Sequence, residues 1–327
     1  MSQDFTKDLF FSALEEHIAE QHAEGLTDEE ILSKMDDQKI ENAYSTLIEQ
    51  MMKDCISSLH NNLYERVLRE RANNARFVVH NEQLWQKGFV ASEMMYLIVL
   101  EAAEDYRKIF NELPDEQKQE IQYRYTTICQ LHGRACQQYL EILCLLKAGF
   151  ADGAFARWRS MYELCVVAQF IAQNDEIVAK AYWGESFRKN TPEYKWAKKS
   201  PCFAHSDKGI RFHDLLNACT PMTKKWEKQY GLANMTVHAA PQGTFARLGK
   251  PQDLDIVAVG PSDYGLAMPA VNSAIVLAII SAIYFTLLHS GDGTLYAKVA
   301  SSWVDKIRDT YSEIEKNSFS KDDAENS

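Results

Sequence analysis

His238 and Asn234 sit four residues apart in NMTVHA, a spacing that puts both side chains on one face of a helix. A histidine oriented by an amide can serve as general acid or base, and an arginine nearby can stabilise the charge that develops on a phosphorane. That is the chemistry of metal-independent RNA cleavage. The arginines available lie in AGFADGAFARWRSMYELCVVAQFIAQ, Ala148 to Gln173, a stretch apolar on nearly every side that still carries Arg157, Arg159 and Glu163. Arg159 and Glu163 share an edge with Val166 and Phe170, whereas Arg157 points about 160° away from Arg159. The expected catalytic set is therefore His238 as acid and base, Asn234 orienting it, Arg159 on phosphate and Glu163 positioning the arginine. A structural reading stands beside it, with Arg159 and Glu163 as a buried ion pair and His238 as a capping histidine.

A second group of residues suggests nucleic acid as the partner. The whole chain has a formal charge of −11, but residues 185–250 hold twelve Lys and Arg against five acids, a local excess of +7. Lys195, Trp196, Lys198, Lys199, Lys208 and Arg211 interleave charge with aromatic surface, as single-stranded RNA binding requires. Half-buried aromatics on an ordinary helical surface are the alternative, since no RNP-type motif accompanies the charge. His205 and His213 flank this region as weaker candidates. Cys129, His132 and Cys136 fall on one helical stripe, but no further ligand pair completes a tetrahedral metal site, so no metal is expected. No glycine-rich phosphate loop, nucleophile elbow, HExxH or paired CxxC occurs, and no cofactor is expected.

The elements that must position these residues read as helices. At 327 residues with 46% hydrophobic and 25% charged side chains, the chain can bury a large core. Thr27 to Glu30 fits a capping box ahead of a helix in an acidic N-terminal region. Leu84 to Phe110 forms the next helix, and Pro114 opens another that runs to Gly149, where a tight turn should fold it back on the Arg159 helix. A short helix, Met222 to Gly231, leads into NMTVHA. Residues 240–269 are rich in Gly and Pro and form a long loop, in which Asp255 to Val259 is the one run suited to a small β-hairpin. Val271 to Leu288 is apolar enough to raise a membrane span, but Asn272, Ser273 and Ser281 interrupt it and no basic flank anchors it, which favours a central bundle helix.

The expected fold is all-α: a multi-helix bundle of eight or so helices with one long Gly/Pro-rich loop. Residues 1–80 form an acidic helical appendage, 81–315 the bundle core and 316–327 a disordered tail. Seven scattered cysteines and the absence of a signal-peptide pattern point to the cytoplasm, with no membrane association. A homodimer is compatible with the N-terminal helices acting as an oligomerisation arm.

The order LW..GF at Leu84 to Phe89, GFADGAFARWRSMYE at Gly149 to Glu163 and NMTVHA at Asn234 to Ala239 resembles a bacterial family of helical proteins of unknown function, over a span from about Leu84 to Leu288. That resemblance implies a role in antiphage defence or a toxin-like activity. NMTVHA is also similar to the motif of the HEPN superfamily, helical bundles that cut RNA through Arg, often followed by Asn, and then His. Asn234 and His238 match, while Ala233 stands where the arginine belongs, so Arg157 or Arg159 must supply the charge from the neighbouring helix. The two functional readings are a HEPN-like RNA-binding protein or ribonuclease, and a non-enzymatic helical module for protein interaction or ligand sensing.

Overall fold

The structure is a computed structural model that describes residues 5–34, 37–187, 194–219, 225–238, 240–250, 257 and 259–319. Twelve α-helices and one 3-10 helix make up the described residues, with no strand among them. The fold is the all-α bundle expected from the helical periodicity. Of the run expected to suit a hairpin, Asp255, Ile256 and Ala258 lie outside the described residues, and Val257 and Val259 are exposed without strand structure.

The chain divides into two compact units, 1–73 and 74–327. The first holds α1 (Phe5–Ala23), α2 (Asp28–Lys34), α3 (Asp37–Asn61) and the start of α4 (Leu63–Glu112). The capping box is present: Thr27 N–H donates to Glu30 at 2.9 Å and Glu30 N–H donates back to the Thr27 hydroxyl at 3.4 Å. Phe10 of α1 meets Tyr44 of α3 edge-on at 5.2 Å, beside a groove of about 730 Å³ lined by Leu14, Ile31, Ile40 and Leu47. Ile31 alone is buried among the described residues of this unit.

α4 begins well before Leu84. Residues 63–87 contain neither Gly nor Pro and hold four Arg and three Glu, so nothing in them stops a helix. From residue 81 on, its buried face reads Asn81, Trp85, Gly88, Ser92, Met95, Val99, Ala102 and Tyr106, a steady alternation of three and four residues. Met94 and Leu97 point outward.

In the second unit α5 (Asp115–Lys147) and α6 (Ala151–Ala172) form the expected hairpin. The turn is a Schellman motif: Phe150 N–H donates to Leu145 O at 2.8 Å and Gly149 N–H to Leu146 O at 2.9 Å. Gly149 has φ +79°, and a Cβ there would sit 2.5 Å from the Phe77 ring, so both backbone and space demand glycine. Asn81 finishes the end of α5 by donating to Leu146 O and Lys147 O, each at 2.9 Å. α7 (Glu176–Glu185) packs on α5, and a 3-10 turn (Lys195–Lys199) packs on α7. α8 (Phe212–Ala218) and α9 (Glu227–Val237) pack on α6, and the short α10 (Pro241–Phe245) packs on α9. α9 continues to Val237, past the expected stop at Gly231, which carries Asn234 onto the helix; Met222, the expected start, lies outside the described residues.

α11 (Ala267–Phe285) is the central element, with α12 (Gly291–Phe319), α5 and α6 around it. It is the one described helix long and apolar enough to cross a membrane, and 72% of its most apolar window is buried inside the bundle. Three of its polar groups are met in the core: the Ser281 hydroxyl lies 2.9 Å from His132 Nε2, the Tyr284 hydroxyl 3.0 Å from that of Tyr125, and the Asn272 backbone O accepts from Trp158 Nε1 at 3.0 Å, while Asn272 Nδ2 is buried with no partner among the described residues. α12 runs to Phe319, into the segment expected as tail, because Phe319 stacks on Trp85 at 6.0 Å and meets Tyr264 at 4.6 Å. Residues 320–327 lie outside the description.

His132 of the Cys129–His132–Cys136 stripe is held in the core. Its ring is enclosed, hydrogen-bonded to Ser281 and packed on Tyr284, and no group of three metal-binding side chains forms among the described residues. Burial lowers the His132 pKa to about 4, against about 6.5 for an unfolded histidine. The unfolded chain therefore takes up a proton that the folded one refuses. The stabilisation is complete above about pH 6.5 and is lost as pH falls through about 4, a change of at most about 3 kcal/mol. Urea unfolding at pH 7 and at pH 4.5 should show this loss in the wild type and a shallower one in His132→Gln. Equal slopes in the two proteins would remove His132 from the account.

Candidate functional site

α6 and α9 bring Arg159, Glu163 and Asn234 together. Arg159 Nη2 lies 2.9 Å from Glu163 Oε1 one turn along α6, and its Nε donates a short hydrogen bond to Asn234 Oδ1. Tyr230 completes the cluster. Its hydroxyl donates to Glu163 Oε1 at 2.7 Å, accepts from Arg159 Nη2 at 3.3 Å, and its ring lies 5.4 Å from the guanidinium carbon. Burial, reinforced by the Glu163 carboxylate, pushes the Tyr230 hydroxyl up to about 12, so it remains a donor at neutral pH.

The pair differs from the expectation in one respect. Arg159 and Glu163 side chains keep 25% and 28% of their exposure, so they are half-buried rather than sealed in the core. The cause is local: α9 covers this edge of α6 with one tyrosine and one asparagine. Arg157 points the other way, as helical periodicity requires, and forms a short ion pair with Glu141 of α5. His238 follows α9 at its C-cap. Its N–H donates to Asn234 O at 2.9 Å, and its side chain is exposed, with no hydrogen bond or ion pair to Arg159 among the described residues. Three of the four expected site residues are thus assembled, and the fourth stands at the helix end without a link to them.

The residues expected to bind nucleic acid divide differently. Trp196 is no stacking platform: it is 4% exposed and packs edge-on against Phe170 at 5.7 Å and Tyr182 at 5.0 Å. The 3-10 turn, packed on α7, carries this aromatic of a basic segment into the core. Lys198 Nζ donates to Ser206 O at 2.9 Å and holds the local loop. Lys208 and Arg211 are exposed, the latter preceding α8, where its N–H donates to Asp214 at 2.8 Å. His205 is exposed, and His213 lies 3.5 Å from Glu227.

Lys195 and Lys199 line a cleft of about 850 Å³ between α5, α7 and the 3-10 turn, together with Lys180 of α7 and Tyr123 of α5. Lys180 Nζ lies 5.2 Å over the Tyr123 ring, a cation–π contact that holds it at the cleft wall. None of the three ammonium groups is in an ion pair among the described residues. Glu176, also in the lining, is turned to the backbone: it accepts from Tyr123 N–H and, at 3.2 Å, from Arg124 N–H, and it lies 3.9 Å from the Arg124 side chain. Burial raises its pKa, and those two amides and Arg124 oppose the rise.

Two features escaped the reading of the residues. Tyr230, Asn234 and His238 recur every four residues, so spacing alone could have placed Tyr230 beside Asn234. Asp152 of GFADG is a clasp, accepting from Leu248 N–H at 3.0 Å and from Arg247 Nε at 3.3 Å, while Gly149 O accepts from Ser262 N–H at 2.9 Å. The motif ties the segment after α10 to the α5–α6 turn, and no local pattern announces a partner about a hundred residues away.

The second unit is an all-α bundle organised on the α5–α6 hairpin, with its polar cluster where α9 crosses α6. Residues 125–241 match the model of a family of unknown function, DUF5677. The match contains the whole Arg159 cluster and all three cleft lysines, and it is narrower than the span of the expected resemblance. No curated protein and no solved structure matches the chain, and the likeness of NMTVHA to HEPN proteins has no counterpart in these comparisons.

The cluster has an energetic signature. Removing one member of a half-buried pair strands the other, whereas replacing both leaves neither charge uncompensated. Arg159→Met and Glu163→Leu should each destabilise the protein, and the double variant should lose less than the sum of the two, giving a coupling energy of about 0.5–3 kcal/mol in urea unfolding. Strictly additive single effects would dissolve the pair as an energetic unit.

Proposed function

We propose that the chain is a ligand-binding helical module whose recognition site is the cleft of Lys180, Lys195 and Lys199, and that its ligand carries phosphate. The observation that carries this reading is that three lysines, none in an ion pair among the described residues, line one cleft of ligand size beside Glu176 and Glu185, in a protein whose formal charge is −11. Phosphate oxygens can accept from several ammonium donors at once, and such charge-assisted bonds are stronger than neutral ones. The Arg159 cluster supports the same reading by its occupation. Its Nε and Nη2 already serve Asn234, Tyr230 and Glu163, with the carboxylate beside the guanidinium reducing its pull on an anion.

A second reading, metal-independent RNA cleavage, is favoured by one observation: Asn234 bonds Arg159, and His238 follows one turn later with its side chain exposed. In that reading His238 acts as acid and base and the remaining Arg159 N–H groups meet phosphate.

One set of measurements separates these readings. Inorganic phosphate, a nucleoside triphosphate and a short single-stranded RNA are titrated into the wild type, Lys195→Glu and Lys199→Glu. Each substitution should weaken binding by about tenfold or more, the loss of one charge-assisted contact. Tightest binding by the nucleotide identifies a small ligand, and tightest binding by RNA a strand. Unaltered affinities in the lysine variants would remove the cleft from the proposal. RNA cleavage in EDTA that vanishes in His238→Ala would instead establish the second reading.

A further inference from the structure

The first unit presents an apolar face that its own helices leave uncovered. α3 ends at Asn61 and α4 starts at Leu63, yet the helical ladder carries across the join: Asn62 N–H donates to Ser58 O and Arg66 N–H to Asn62 O, each at 3.1 Å. Along this rod Ile48, Met52, Ile56, Leu59, Leu63 and Val67 are all exposed, from 36% for Ile48 to 57% for Ile56. At 100° per residue they fall within a band about 100° wide. The residues of α3 that line the groove beside α1, Ile40, Ala43 and Leu47, lie on a different side. The band is therefore a second apolar surface, about 28 Å long from Ile48 to Val67. Large apolar side chains in a continuous exposed patch mark an interaction surface.

The charges on either side of its midpoint identify the partner. The midpoint falls between residues 57 and 58. Residues 42–57 carry two acids, Glu49 and Asp54, against Lys53. Residues 58–73 carry Arg66, Arg69 and Arg71 against Glu65 and Glu70. The sign of the excess reverses across the middle of the apolar band. A two-fold interface presents the same patch from both subunits, so a surface with this reversal is complementary to itself only when the helices run antiparallel.

We infer that this face is a homodimer interface in which the α3–α4 rods of two copies pair antiparallel, the Ile48–Met52–Ile56 ridge of each lying against the Leu59–Leu63–Val67 ridge of the other. The acidic half of one rod then runs beside the basic half of its partner. The pairing removes six large apolar side chains per copy from water, in a unit whose described residues otherwise bury Ile31 alone.

The test uses the full chain. Sedimentation should give a dimer for the wild type, and Ile56→Glu with Leu59→Glu should raise its dissociation constant by at least about a hundredfold with helix content unchanged. Both positions are exposed, so a loss of helix is not expected from either substitution. Orientation is read from a spin label on Ser45→Cys after Cys55, Cys144 and Cys202 are replaced by serine. Antiparallel rods place the two labels about 37 Å apart, whereas parallel rods bring them to about one helix–helix distance, about 10 Å. A monomeric wild type, a dimer indifferent to the two glutamates, or the short label distance would each overturn the proposal.

Discussion

An apolar helix without a single charge cannot be left against water, and the burial of α11 is the constraint from which the rest of the second unit follows. α5 and α6 flank it as a hairpin and α12 folds back along it. Polar groups that α11 brings inside find partners there: Ser281 meets His132, Tyr284 meets Tyr125 and the Asn272 carbonyl meets the Trp158 indole, whereas the Asn272 side-chain amide nitrogen stays unpaired among the described residues. Much of the tyrosine and tryptophan of the chain is spent in this way. Large rings fill the space between helices while one polar atom each satisfies a backbone or side-chain group.

The helices were legible because their signals are local. Thr27 and Glu30 cap each other, and Gly149 ends α5. Boundaries were less legible where nothing breaks the chain, as at the start of α4 and the end of α12. The latter extends because Phe319 finds Trp85 across the bundle, a contact no window of neighbouring residues contains.

The candidate site was legible in part for the same reason. Helical geometry alone separates Arg157 from Arg159 and joins Arg159 to Glu163. The approach expected was that of Arg159 to His238; in the structure Arg159 donates instead to Asn234, one turn before the histidine. Charge composition was the poorer guide. It grouped Trp196 with Lys195 and Lys199, although the tryptophan lies in the core and the lysines open onto a cleft. A local excess of positive charge does not reveal which side chains face outward, since that is decided by how the 3-10 segment packs on α7.

The order in which the bundle's parts leave the ribosome has its own consequence. The α5–α6 hairpin is local in sequence and closed by a Schellman turn, so it can form as soon as Ala172 has emerged. Its central partner, α11, begins about 95 residues later. At about 5–20 residues per second, the faces of α5 and α6 that will hold α11 wait about 5–20 s for it. During that interval the nascent chain exposes Ile142, Leu146, Trp158 and Phe155 in one patch, a surface suited to chaperone capture and to mispairing with a neighbouring nascent chain.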